Sequence, residues 1–128
     1  MKGIATVLLL LVAAGMLAPH SVAQSVQDEP VRTIIGYVRD SGCVHRFHEV
    51  VKPVPNGCLE ACVHGGSPLV VLTKDEHVFH PISAEMPDTD VRQKMLPFAG
   101  KLVKITGHVY HRGDSTAITL EQIEEVKE

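Results

Sequence analysis

"KLVKITGHVYHRGDSTAITL", Lys101 to Leu120, decides the fold. Val103, Ile105, Gly107 and Val109 recur at every second position, the period of a half-buried strand. His111 to Ser115, with Gly113 in the turn, supplies a hairpin loop. Beyond it Ile118, Leu120 and Ile123 lie on or near the buried side of a second strand.

Working outward, "VRTIIGYVRD" (Val31–Asp40) is β-branched and aromatic with Gly36 at a point of bending or bulging. "PLVVLTK" and "HVFHPI" read as two more strands joined by a turn at Lys74-Asp75-Glu76. "NGCLEACVHGG" (Asn56–Gly66) reads as a short helix, with Asn56 or Gly57 at its start and Gly65-Gly66 at its end. "DTDVRQKMLPFAG" (Asp88–Gly100) reads as a second helix, capped by Asp88 or Asp90 and disturbed in its last turn by Pro97. Cys43 to Pro55, with Pro53 and Pro55, reads as irregular. The chain is therefore expected to be mainly β. The expected fold is a small five-stranded OB-like barrel with one short helix in a cysteine-containing insertion after strand 1 and one helix between strands 3 and 4. Closure needs one long bending strand, for which Gly36 or Gly107 is suited. A small open α+β sheet is the alternative.

The first 23 residues have the pattern of a secretory signal peptide: Lys2, an apolar run from Ile4 to Leu17, and Ser21-Val22-Ala23 before the expected cut. Residues 24–31 are expected to be a flexible leader and 32–126 the OB-like domain. The expected location is periplasmic or secreted, with no stable membrane insertion after signal cleavage. Without Lys2 the chain keeps 11 basic against 15 acidic side chains. That acidity, with only five aromatic residues, argues against a nucleic-acid partner.

"CVHRFHEVVKPVPNGCLEACVH" (Cys43–His64) holds all three cysteines. Covalent heme attachment needs two thiols two residues apart followed by histidine, and Cys58-x3-Cys62-x-His64 is too long at both intervals. Cys58 and Cys62 share a helix face, and Cys43 is within reach from the loop. With His45 or His48 they form a candidate Cys3His shell for zinc or another thiophilic metal ion. The other reading is one disulfide, Cys43–Cys58 or Cys43–Cys62, plus one thiol, in an oxidising compartment. A bridge over 15 to 20 residues is worth about 3 kcal/mol in the chain-entropy model. The remaining histidines read as surface residues, and Asp40 as a turn residue. No nucleophile elbow, phosphate loop or H-E-x-x-H segment is present, so no enzyme activity is expected.

"GYVRDSGC", "CLEAC", "PLVVLTKDEHVFHPI", "MLPFAGKLVKITGHVY" and "AITLEQI" together resemble a family of small secreted bacterial proteins of unknown function. That family combines D-S-x-C, C-x3-C and A-G-K-x-V-x-I-T-G segments, and the likeness covers roughly residues 33 to 126. The resemblance implies an OB-like fold and no particular reaction. Where the family often has histidine four residues after the first cysteine, this chain has Phe47, with His45 and His48 nearby. The functional expectation is a secreted or periplasmic module binding a thiophilic metal through a Cys/His cluster. The alternative is a disulfide-stabilised module binding a protein, peptide or envelope partner.

Overall fold

A computed structural model describes residues 29–47, 56–87 and 90–127. The expected signal peptide, most of the leader, His48 and Asp88 lie outside the described residues.

Strand β1 (Val31–Asp40) leads into helix α1 (Ser41–Arg46), and helix α2 (Asn56–His64) precedes strands β2 (Leu69–Thr73) and β3 (Val78–Ile82). Helix α3 (Val91–Met95), extended by a 3₁₀ turn at Leu96–Phe98, precedes strands β4 (Leu102–Arg112), β5 (Ser115–Thr119) and β6 (Gln122–Glu125). Antiparallel pairing joins β1 to β2, β2 to β3 and β5 to β4, while β3 and β5 run parallel. Antiparallel pairing of β4 back onto β1 closes a five-stranded barrel in the expected OB-like order, with β6 added on β4.

Two glycines make the closure geometrically possible. Gly36 pairs with Thr73 of β2 and with Val103 of β4, so β1 changes partners there. A Cβ at Gly36 would lie 2.6 Å from the Leu72 carbonyl oxygen, which only glycine avoids. Gly107 sits where the register of β4 slips. Val109 faces Ile118 and Thr106 faces Gln122, so Gly107 and His108 oppose three residues, Thr119, Leu120 and Glu121. This is a β-bulge, and it divides the last expected strand into β5 and β6.

The alternation expected from the sequence is present in β4: Val103, Ile105 and Val109 are buried, as is Ile118 opposite. They form one core with Val38, Val71 and Leu120. Helix α2 contributes Leu59 and Val63, and α3 contributes the fully buried Met95. Burial of a side chain such as Met95 is worth about 1.5–3 kcal/mol.

Two local features differ from expectation. The stretch after Asp40 is helical, because the Asp40 side chain accepts a hydrogen bond from the Cys43 N–H and caps α1. At α3, Asp90 occupies the N-cap position with φ 63° but makes no side-chain cap hydrogen bond. Pro97 acts as expected: the last turn tightens to 3₁₀ around it.

Candidate functional site

The cysteine region is assembled by two helix ends and the end of β1. Asp40 is 2% exposed, the last residue of β1 and the N-cap of α1. Its Oδ1 accepts from the Cys43 N–H at 2.9 Å and from the Ser67 hydroxyl at 3.3 Å. The three-residue interval from cap to Cys43 is that of an N-cap and its N3 partner, so it sets carboxylate and thiol side by side.

Ser67 is delivered by the end of α2. Gly66 has φ 91°, the Ser67 N–H donates to the Cys62 carbonyl and the Gly66 N–H to the Val63 carbonyl. That double bond pattern is a Schellman cap, for which Gly66 supplies the left-handed residue. The Ser41 N–H donates to the Pro68 carbonyl at 2.9 Å, so the starts of α1 and β2 are tied together. Arg92 of α3 donates to the carbonyls of Ser67 and Val63, bracing the same turn from behind.

The outcome is a cluster of three anionic-capable groups. One carboxylate oxygen of Asp40 and the sulfurs of Cys43 and Cys62 all lie within 4.8 Å of one another. Hydrogen bonding to Asp40, then desolvation and the Asp40 charge, with lesser contributions from Cys62, push the Cys43 thiol up to about 12. Cys43 thus keeps its proton at neutral pH while a carboxylate and a second thiol crowd it. A cation placed among the three would reverse that penalty.

The five residues expected to bind metal have different placements. Cys43 and Cys62 come together. Cys58 is exposed and lines the same open cavity of about 580 Å³, one turn before Cys62. His45 lies two residues beyond Cys43 on α1, on another face, and lines a separate cavity with Arg39, Phe47 and Leu72. His48 lies outside the described residues. Asp40, read from sequence as a turn residue, is the group the cluster contains in addition. The D-x-x-C interval carried the signal, because cap-to-N3 spacing fixes the proximity.

No two of the three cysteine sulfurs lie at disulfide-bonding distance. Among the remaining histidines, His77 lies before β3 in an exposed contact with Asp75 at 2.9 Å. His64 lines a cavity on the far side of α2 from the thiols. Among the described residues, no helix is long and apolar enough to cross a membrane. Comparison of the chain with protein-family models, curated proteins and solved structures returns no match in any of the three.

Proposed function

We propose that this is an exported OB-like module that holds a thiophilic divalent cation, zinc or a softer ion, on Asp40, Cys43 and Cys62. Cys58 stands at the rim as an adjacent thiol. The observation that carries this reading is the 4.8 Å grouping of one carboxylate oxygen and two sulfurs. Ligand distances of about 2.3 Å for sulfur and 2.0–2.2 Å for oxygen place neighbouring donors roughly 3.5–3.8 Å apart around a tetrahedral ion. A contraction of at most about 1 Å would bring the group to that spacing, a change on the scale of side-chain rotation at Cys43 and Cys62. A hard ion such as magnesium suits the site poorly, since two of its donors are sulfur.

The signal-peptide pattern and the resemblance to small secreted bacterial proteins support export. The role we assign is holding or delivering the ion, because among the described residues no side chain beside the cluster stands out as a general base. A second reading has specific support in the same proximity. Oxidation of Cys43 and Cys62 to a disulfide would make this a cross-linked interaction module for a protein, peptide or envelope component.

The test is titration of the reduced protein with zinc and with cadmium, followed by cadmium–thiolate absorption and a thiol count under denaturing conditions. One equivalent of ion, with absorption lost in a Cys43→Ser, Cys62→Ser double variant, supports the metal module. Protein purified without reductant that yields one thiol supports the cross-linked module, and reduced protein that takes up no ion ends the metal reading.

A further inference from the structure

The "AGK" portion of the segment singled out in the sequence has no part in the thiol cluster, and neither does the Leu59 and Val63 face of α2. They meet at a cavity of about 380 Å³, within the range of small-ligand sites. Residues 58 and 62 of α2 face the thiol side, while Leu59 and Val63 turn roughly 100° away and form the apolar floor of this second cavity. Leu59 and Val63 are themselves 3% and 6% exposed, so the floor is continuous with the barrel core. Leu96, Pro97 and Ala99 form the opposite wall.

The rim is cationic although the chain as a whole has net charge −3. Arg92 and Lys101 line the cavity against a single acid, Glu60, with the imidazole of His64 as a further polar group. Arg92 is held in place, donating one N–H to Ser67 O at 2.9 Å and another to Val63 O, which leaves three of its five N–H groups uncommitted to these two bonds. Lys101 pairs with Glu125 at 2.8 Å across an exposed contact, a partner that a better acceptor can replace at little cost. The Gly100 N–H donates to Val38 O and the Lys101 carbonyl accepts from the Val38 N–H, so the turn presenting Ala99 and Lys101 is fixed to β1.

We propose that this cavity binds a small amphipathic carboxylate, its apolar body against Leu59, Val63, Leu96 and Ala99 and its carboxylate between Arg92 and Lys101. An apolar floor alone would accept any oily molecule, and the preset guanidinium with a second cation lining the same cavity selects the anionic head. Because α2 forms one wall here and carries Cys58 and Cys62 on its other face, the site adjoins the thiol cluster while using none of its ligands.

The experiment is titration of the uniformly ¹⁵N-labelled protein with sodium decanoate below its micelle concentration, and in parallel with decanol. The expected result is saturable backbone amide shifts confined to residues 59–64 and 92–101, with decanol at least about tenfold weaker. Lys101→Gln, an exposed change, should weaken decanoate by about three- to tenfold and leave decanol unchanged, with melting temperature confirming an intact fold. Non-saturable shifts, equal binding of decanol, shifts centred elsewhere, or an unaltered decanoate affinity in Lys101→Gln would each overturn the assignment.

Discussion

Replacing Gly107 with alanine should be among the most damaging single-methyl changes available to this chain. The added Cβ would lie 1.8 Å from the Thr119 carbonyl oxygen, 2.8 Å from its carbon and 2.8 Å from its hydroxyl oxygen. Carbon–oxygen contacts under about 3 Å are not tolerated, so β4 and β5 must separate by more than about 1 Å at the bulge. The obstacle is backbone, so no rotamer change relieves it. The separation also strains the hydrogen bond from the His108 N–H to the Thr119 hydroxyl, 2.7 Å long, next to the point where the Leu120 N–H reaches Ile82 O. Overpacking costs about 1–3 kcal/mol. A weakened hydrogen bond adds about 1 kcal/mol. The sum is about 3 kcal/mol, a fall in melting temperature of roughly 12–24 °C for a domain of this size. Far-UV circular dichroism or scanning calorimetry reads it directly. Gly57→Ala is the matched control: nothing lies within 4 Å of its Cβ, and it sits in a helix, so it should be neutral or stabilising by up to about 1 kcal/mol. If Gly107→Ala melts within a few degrees of the parent, the bulge is misplaced and the argument for closure at this residue falls with it.

The thiols should alkylate in order of accessibility and proton hold, Cys58 first and Cys43 last, as followed by peptide mapping with iodoacetamide. Asp40→Asn keeps an oxygen to cap α1 but removes the charge beside Cys43, so Cys43 should react measurably faster, and an unchanged rate would show that Asp40 does not hold its proton. Since Cys43 keeps its proton in the folded state to about 12 against 9.0 ordinarily, its contribution to stability is complete below pH 9 and is lost as pH rises from 9 towards 12. Denaturant midpoints of the metal-free protein across that range should therefore fall more steeply than those of Cys43→Ser. Mild oxidation with a small aromatic disulfide should yield Cys43–Cys62 as the dominant internal bridge, and a predominance of Cys58 bridges by mass spectrometry would contradict the placement of α1 against α2. Arg92→Met should cost about 2 kcal/mol in urea denaturation, because it abandons the Ser67 and Val63 carbonyls at the end of α2.

The barrel was legible in the sequence because strands announce themselves locally. The alternation of Val103, Ile105, Gly107 and Val109, the hairpin at Gly113 and the helix ending at Gly65-Gly66 all reflect short-range periodicity and turn chemistry. The split between β5 and β6 was not legible, since it depends on a one-residue slip against β4 and leaves no local mark in "TLEQI". Helix α1 was also missed, because the capping carboxylate precedes a stretch whose composition favours no regular structure. The metal-ligand expectation drew on residue type and helix-face spacing, and it set His45 or His48 beside the three cysteines. His45 belongs to a different cavity, because on α1 it lies about 200° around from Cys43.

By itself, then, the sequence determined the strand order, the glycines that allow a closed barrel, and the gathering of every cysteine into one insertion. Those are consequences of side-chain period and backbone freedom within a few residues. Only the tertiary structure decided that Cys62 joins Asp40 and Cys43 while Cys58 stays outside at the rim. It also decided that the Leu59 and Val63 face of α2 shares a cavity with Arg92 and Lys101. The physical reason is that such meetings depend on how α2 is rotated and clamped against β1 and α3. That rotation is set by packing of Leu59 and Val63 into the core and by the hydrogen bonds of Ser67 and Arg92, contacts between residues far apart in the chain.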